Sequence, residues 1–147
     1  MFLSTYPLKL DEKGRFFLPS KWRPDLAEGL VIVQGLDDCL AIYASKDFER
    51  VSTDRIKAEA GTLQEVRAYQ RMLGADASES RPDKQGRVGV PVALRDYAKL
   101  DKDIIVTGAL DHAEIWNPEL WQKYRDAQQP QYSHIDKLIG QTPGGDR

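Results

Sequence analysis

The chain has 147 residues, of which 41% are hydrophobic, 30% charged and 9% aromatic. This length suits one compact domain, or two very small units that share a core, and it allows folding without disulfides or structural metals. The 21 Lys and Arg residues against 23 Asp and Glu give a net charge of −2, which excludes a generally basic nucleic-acid coat but not a local basic patch. The single cysteine, Cys39, excludes an internal disulfide framework.

Targeting and membrane signals are missing from the sequence pattern. No apolar run approaches the roughly 20 residues that span a bilayer. Residues 1–5 lack the positively charged start of a secretory signal and lead directly into a charged stretch. We therefore expect a cytoplasmic protein without a membrane partner.

The sequence contains an internal repeat. A shift of 72 positions aligns five identical residues within 11–26, and a shift of 73 aligns five more within 31–48. The chain is therefore predicted to be a duplicated unit with a pseudo-two-fold axis. The identical pairs are Asp11/Asp83, Gly14/Gly86, Arg15/Arg87, Pro19/Pro91, Arg23/Arg95, Ile32/Ile105, Val33/Val106, Gly35/Gly108, Asp38/Asp111 and Ile42/Ile115.

The first unit is predicted to begin with a strand that leads into a tight turn at a glycine, which adopts positive φ without steric cost. A proline then opens a helical segment, which Pro24 limits to about one turn. The alternation of apolar and turn residues predicts strands over residues 6–10, 15–18, 30–33 and 39–43, and a helix that begins at Ser45 with Phe48 and Val51 inward.

A connecting helix is predicted between the units. Thr62 and Glu65 have the spacing of a capping box. The helix is expected to end at Gly74, and the small polar residues 75–82 are interpreted as a linker. Its apolar stripe is predicted to be Leu63, Val66, Tyr69 and Leu73, with Arg67 and Arg71 on a solvated face.

The second unit repeats the pattern, opens with a less regular strand before Asp83 and ends in a helix that starts at Asn117-Pro118. Residues after Pro130 are expected to be a flexible tail. The predicted elements are strands over 87–90, 104–106 and 113–116 and helices over 92–98 and from 118. The predicted organisation is a first module over 1–53, a connecting helix and linker over 54–80, a second module over 81–129 and a tail over 130–147.

Catalytic and metal-binding patterns are missing. The two histidines are far apart, and neither paired cysteines nor a phosphate-binding glycine loop occurs. Cys39 is interpreted as a buried structural thiol, although its repeat mate is His112 and a Cys–His pair across the axis is an alternative. We therefore predict no enzyme, no metal, no cofactor and no small-molecule substrate.

The duplicated turn is the best candidate for a functional site. Asp and Arg four residues apart could simply form an exposed ion pair across the turn. An arginine at a turn also offers a planar donor fork for a phosphate or a guanine edge, while the aspartate orients it. The occurrence of the same arrangement twice favours the second interpretation.

Local charge supports that interpretation. Residues 1–25 contain five basic and three acidic side chains, a net charge of +2, and residues 81–102 contain six and three, a net charge of +3. The remainder of the chain therefore carries −7. A basic face on an acidic body suits a sequence-reading protein better than a non-specific one.

Residues 11–15 (Asp-Glu-Lys-Gly-Arg) and 83–87 (Asp-Lys-Gln-Gly-Arg) resemble the two Asp-x-x-x-Arg signatures of the bacterial MraZ family. The Pro and Arg that follow each signature and the N-terminal Met-Phe-Leu-Ser also resemble that family, over residues 1 to about 135. The resemblance implies an α+β fold of two tandem AbrB-like swapped-hairpin modules with short helices.

The resemblance further implies a ring-shaped homo-oligomer. Such a ring would bind direct repeats in double-stranded promoter DNA and would regulate, as a repressor, the cell-division and cell-wall operon that contains its own gene. A nucleoid-associated location follows. An antitoxin-like protein-interaction module on the same fold, with the tail capturing a partner, is the alternative.

The implied DNA-binding residues fall on the two signatures. Arg15 and Arg87 would face DNA, Lys13 and Gln85 would stand beside them, and Asp11 and Asp83 would orient them on turns made by Gly14 and Gly86. Arg23 and Arg95 either contact DNA or support the fold. Phe16-Phe17 departs from the expected less bulky pair, and the second copy has Val88-Gly89, so the two turns need not contribute equally.

Overall fold

The computed structural model describes residues 1–59 and 61–136, which form an α+β structure of antiparallel strands and short helices. The predicted apolar strands and the short helices after Pro19 and Pro91 are confirmed to within two residues. The strands are β1 (Thr5–Lys9), β2 (Arg15–Phe17), β3 (Leu30–Gln34), β4 (Leu40–Ala44), β5 (Ser78–Ser80), β6 (Arg87–Gly89), β7 (Asp103–Gly108) and β8 (Ala113–Trp116). The helices are a 3-10 turn (Ser20–Trp22), α1 (Arg23–Leu26), α2 (Ser45–Glu59), α3 (Leu63–Ala75), α4 (Val92–Tyr97) and α5 (Pro118–Tyr132).

Six strands form one antiparallel sheet in the order β1-β7-β8-β4-β3-β5. This order is unchanged when the repeats are exchanged, because β1, β3 and β4 correspond to β5, β7 and β8. The edge strands pair with the other repeat, β1 with β7 and β5 with β3, while β4 and β8 pair at the centre. Each repeat therefore completes its sheet with a strand from the other.

The strands β2 and β6 form a separate two-stranded ribbon, again with one strand from each repeat. The backbone N–H of Leu18 donates to the Gly86 carbonyl at 2.9 Å, and that of Val90 donates to the Gly14 carbonyl at 2.8 Å, so the pairing extends beyond both ends. The register places Arg15 opposite Gly89, Phe16 opposite Val88, and Phe17 opposite Arg87.

The sheet is covered by apolar residues on both faces. Leu30 and Ile32 of β3 point into a cluster that also contains Phe16 and Val88, so the ribbon packs on this face. Alternate residues of the same strand pack on the opposite face with α2 and α3, because successive strand side chains point to opposite sides. That second cluster contains Val31, Val33, Ala41, Tyr43 and Val51, with Phe48 and Leu73 packed against it.

The predicted start of α3 is confirmed in detail. The Thr62 Oγ1 accepts the backbone N–H of Glu65 at 3.0 Å, and the Glu65 carboxylate accepts the backbone N–H of Thr62 at 3.0 Å. The assignment of Leu63 to the apolar stripe is wrong, because its side chain is 79% exposed. As the first residue of the helix, Leu63 lies beyond the part of α3 that contacts the sheet, whereas Leu73 reaches it.

Two boundaries differ from the sequence prediction. The interpreted linker over 75–82 contains β5, whose polar residues pair with β3 through the backbone. The tail predicted from Pro130 begins later, since α5 continues through that proline to Tyr132. A proline removes one backbone donor from a helix, and here the helix ends within a turn of it. The predicted flexible tail beyond residue 136 lies outside the described residues.

The chain forms two compact units, Met1–Asn117 and Pro118–Arg147. The first contains the sheet, the ribbon and both signature turns. In its described part, the second consists of α5 and the turn that follows, and within α5 the ring of Trp121 stacks on that of Tyr124. Among residues 1–59 and 61–136, none of the helices is long and apolar enough to cross a membrane.

Candidate nucleic-acid interface

The first turn (residues 11–15) is organised by one carboxylate. The Asp11 Oδ1 accepts the backbone N–H groups of Lys13 and Arg15, both at 2.9 Å, and its Oδ2 accepts the Arg15 Nε–H at 2.9 Å. The backbone N–H of Gly14 donates to the Asp11 carbonyl at 2.9 Å. Because Gly14 has φ +74°, in the left-handed region, a glycine is the natural residue at this position.

The second turn (residues 83–87) repeats this arrangement atom for atom. The Asp83 Oδ1 accepts the backbone N–H groups of Gln85 and Arg87 at 2.9 and 2.8 Å, and its Oδ2 accepts the Arg87 Nε–H at 2.7 Å. Gly86 has φ +82°. The spacing of Asp, Gly and Arg in the signature thus has a local structural reason at each position.

Both carboxylates are held in the ionised form. The backbone N–H of Arg15 is the main cause that lowers the pKa of Asp11, and that of Arg87 does the same for Asp83, with the guanidinium groups adding to the effect. At neutral pH each aspartate therefore carries the charge that aligns its arginine.

Each arginine uses only Nε to bind its aspartate. Within residues 1–59 and 61–136, the Nη1 and Nη2 groups of Arg15 and Arg87 have no hydrogen-bond partner. Their side chains are 31% and 25% exposed, so the planar end of each remains accessible. An oriented guanidinium with two open NH₂ groups has the donor pattern that suits a phosphate or the O6 and N7 atoms of guanine.

The ribbon brings the two arginines of one chain together. Phe16 and Val88 point inward and are almost completely buried, so Arg15 and Arg87 share the outer face. They are diagonal neighbours across the pair of strands, a relationship that separates Cβ atoms by roughly 7–8 Å. The sequence repeat predicted two separate turns, whereas the fold joins them into one arginine patch (Arg15 and Arg87).

Phe17 is a feature of this patch whose role the sequence did not predict. Its side chain is 53% exposed, and its ring lies 6.0 Å from the Arg87 Cζ, within cation–π range. The only sequence signal was its bulk, since the equivalent position in the second repeat is Gly89.

The second pair of arginines lies behind the turns, each against the turn of the other repeat. The Arg95 Nε donates to the Val90 carbonyl at 2.9 Å, and the Arg23 Nε donates to that of Leu18 at 3.1 Å. A Cβ added to Gly14 would stand 2.9 Å from the Arg95 Cζ, and one added to Gly86 would stand 2.7 Å from the Arg23 Cζ. The same glycines that allow the turns thus leave space for these guanidinium groups.

Lys13 and Gln85 occupy the third position of their signature turns. Both residues are exposed, and their backbone N–H groups are used by the aspartates. Each is therefore an exposed side chain two residues before the arginine of its signature.

The Cys–His alternative is not supported by the geometry. Cys39 is 1% exposed, its thiol donates to the Leu36 carbonyl at 3.1 Å, and burial raises its pKa well above the usual range. The two ring nitrogens of His112 contact the carboxylates of Asp111 and Glu114, at 2.7 and 3.0 Å. In the part of the chain that the structure describes, no group of His, Cys, Asp and Glu side chains is placed to hold a metal.

Comparisons with known proteins place this duplicated unit among transcriptional regulators. The family model described as "MraZ protein, putative antitoxin-like" matches residues 1–71 and 73–138. The chain belongs to the MraZ family.

Named relatives cover nearly the whole chain. The transcriptional regulator MraZ of Cutibacterium acnes is 48% identical over 139 residues, 95% of this chain and 97% of its own length. That of Nocardioides sp. is 43% identical over 143 residues, 97% and 99% of the two chains. That of Saccharopolyspora erythraea is 46% identical over 140 residues, 95% and 96%. These three relatives bear the name of a regulator and none bears that of an enzyme.

Proposed function

We propose that the protein is a sequence-specific DNA-binding transcriptional regulator that recognises direct repeats in the promoter of its own operon for cell division and cell-wall synthesis. The observation that carries the proposal is the arginine patch, in which two arginines from distant parts of the chain share one exposed ribbon face. The proposal also includes that the protein represses transcription and that it acts in the cytoplasm in association with the nucleoid.

The shape of the ribbon supports double-stranded DNA as the partner. The major groove of B-DNA is about 12 Å wide and admits a two-stranded β-ribbon. Arg15 and Arg87 would point at base edges or flanking phosphates, with Lys13 and Gln85 beside them. Asp11 and Asp83 would orient the two guanidinium groups, and Gly14 and Gly86 would keep the turns low enough for close approach. Arg23 and Arg95 would act as supporting residues from behind.

One chain offers few contacts, so the proposal includes a ring-shaped homo-oligomer. Each phosphate or base contact adds only a modest, salt-dependent increment to affinity. Several ribbons held at fixed spacing would engage successive repeats of a promoter, and linked binding events gain affinity from high effective concentration. The repeated subunits and the repeated DNA sites would then match one another.

The fold proposed for this function is a pair of AbrB-like swapped-hairpin modules, over residues 1–53 and 81–129, joined by residues 54–80 and followed by a tail over 130–147. Strand exchange in the sheet and the ribbon supports two intertwined modules, with β5 at the end of the connecting segment joining the sheet. Under this arrangement, both modules contribute to a single DNA-contacting surface.

The function is tested by salt-titrated binding to the duplex upstream of the protein's own gene and to a scrambled duplex. Arg15→Ala with Arg87→Ala should abolish the preference for the promoter and reduce the salt slope by up to about two for each subunit that contacts DNA, one for each arginine removed. Arg67→Ala with Arg71→Ala removes the same charge from the exposed face of α3 and is the matched control. Unchanged promoter preference in the first double variant would rule out the proposed site.

The antitoxin-like alternative is favoured only by the description of the family model. It predicts a co-purifying protein partner that no longer binds when residues 130–147 are deleted. If that deletion retains promoter binding and releases no partner, the regulator is the better account.

A further inference from the structure

The exposure of Phe17 is not explained by the packing of the chain. The inner face of the ribbon is already filled by Phe16 and Val88, which are 1% and 2% exposed. Phe17 is more than half exposed on the outer face, and the repeat builds the same ribbon position with Gly89. A large apolar side chain in water contributes little to the core, so its position on the arginine patch calls for an external contact.

Phe17 also makes the two arginines unequal. Arg87 is held by Asp83 on one side and by the Phe17 ring on the other, with its Cζ 6.0 Å from the ring centroid. Arg15 is opposite Gly89, and among the described residues its side chain is held by Asp11 alone. The Arg87 guanidinium is therefore aligned more strictly before it meets a ligand.

The apolar group that a major-groove ribbon meets is the C5-methyl of thymine. Base pairs are stacked about 3.4 Å apart, so a ring about 6 Å from a guanidinium reaches a base one or two steps away. We propose that Phe17 is a specificity-determining residue that contacts a thymine methyl group next to the guanine read by Arg87. This inference rests on the proposed DNA-binding function.

A second copy of the chain is a less suitable occupant of this surface. A two-fold contact through this surface would place the arginine patches of the two copies against each other. Like charges in an interface oppose association. DNA, in contrast, carries negatively charged phosphates that the arginines can bind and apolar thymine methyl groups that Phe17 can contact.

The proposal is tested directly by replacing thymine with deoxyuridine in the promoter duplex, because this replacement removes only the methyl groups. Wild-type protein should bind the deoxyuridine duplex at least about fourfold more weakly, the effect of one buried methyl. Phe17→Ala should bind the thymine duplex more weakly by a similar factor and should no longer distinguish the two duplexes. Leu36→Ala, which removes another half-exposed apolar side chain, should discriminate as wild type does.

The converse variant, Gly89→Phe, places a second phenylalanine on the outer face of the ribbon, beside Arg15. Gly89 has ordinary backbone geometry, and a Cβ there would stand 3.8 Å from the Arg15 Cγ, an ordinary contact. Gly89→Phe should therefore fold normally and increase the discrimination between thymine and deoxyuridine. Circular dichroism melting of both variants controls for folding.

Two outcomes would overturn the inference. Equal thymine preference in Phe17→Ala and wild type would remove Phe17 from base reading. A fall in assembly mass by light scattering with Phe17→Ala, and equal weakening on both duplexes, would assign the residue to a subunit contact. If the Arg15 and Arg87 double variant lost promoter preference alongside either result, the proposed function would stand while this inference failed.

Discussion

Arg23 of the first repeat lies directly against Gly86 of the second, so close that a Cβ on that glycine would stand 2.7 Å from the guanidinium carbon. The symmetric contact joins Arg95 to Gly14. Each signature turn is therefore supported by the helical segment that follows the other signature. The two halves of the arginine patch depend on one another for their position.

Gly86→Ala is expected to lower the free energy of unfolding by about 1–2 kcal/mol, because an alanine at φ +82° is strained and its Cβ meets Arg23. Gly89→Ala, at an ordinary strand position a few residues away, should change stability by less than about 0.5 kcal/mol. Urea unfolding of the two variants measures the difference. Equal stability would show that the close approach of Arg23 imposes no constraint.

Asp11→Asn should lower the ratio of promoter to scrambled-duplex affinity by a few-fold, on the scale of an exposed ion pair. The amide retains an oxygen for the backbone N–H groups, but its NH₂ group cannot accept the Arg15 Nε–H. Affinity for the scrambled duplex should not fall, since a negative charge near DNA is removed.

Glu12→Gln removes a charge from the same turn, and its side chain has no hydrogen-bond partner in the described structure. This control should leave the affinity ratio unchanged. If both variants lowered the ratio alike, Asp11 would act through charge alone rather than by orienting Arg15.

The stability of the protein should decrease as the pH rises above about 6.5. Burial alone would lower the pKa of His112, but hydrogen bonds to Glu114 and Asp111 outweigh burial and raise it above 6.5. A raised folded-state pKa means that the stabilisation is complete below the unfolded value and is lost as pH passes through the folded value. Unfolding free energies between pH 5.5 and 8.5 measure this slope.

His112→Gln should remove that slope and cost about 1.5–3 kcal/mol at pH 5.5, the range for a hydrogen bond to a charged group. The ring of His112 also stacks on Tyr43, with centroids 5.3 Å apart, so part of the loss will persist at all pH values. A slope of the same size in the variant would place the titrating group elsewhere.

Gly108→Ala is expected to displace the N-terminal residues, because a Cβ at this position collides with the backbone of Phe2 and Leu3. The backbone bridge between Phe2 and Leu110 would break with it. Gly74→Ala is the matched control, and it should instead raise the stability of the protein. A Cβ there meets nothing within 4 Å, and alanine in a helix is favoured over glycine by about 0.5–1 kcal/mol.

Thermal unfolding measures the melting temperatures of these two variants. The melting temperature should fall for Gly108→Ala and rise for Gly74→Ala. A melting temperature for Gly108→Ala equal to that of wild type would show that the N-terminal residues move aside at no cost.

Local pattern explains most of what the sequence predicted correctly. The apolar runs in β3, β4, β7 and β8, and the Thr62–Glu65 capping box, depend on neighbouring residues, so a single sequence reveals them. Leu63 was misassigned because periodicity does not show where a helix leaves its packing partner. The strand β5 was predicted only as a less regular stretch before Asp83, within residues also interpreted as a linker, because polar residues at a sheet edge pair only through the backbone.

The local sequence pattern could not predict that the two turns join in one patch. Nothing near Arg15 indicates that Arg87 lies diagonally across a ribbon, since their proximity follows from strand exchange between the repeats. The sequence predicted two turns that need not contribute equally, but their union in a single patch with Phe17 beside Arg87 required the register of β2 and β6.

Strand exchange also sets an order of events during synthesis. Lys9 in β1 contacts Asp103 in β7, and the two are 94 positions apart in the chain. At about 5–20 residues per second, the ribosome makes the partner strand roughly 5–20 seconds after the first. A nascent or prematurely terminated chain that lacks the second repeat has no β6 and hence no arginine patch, so it lacks the proposed DNA-contacting surface.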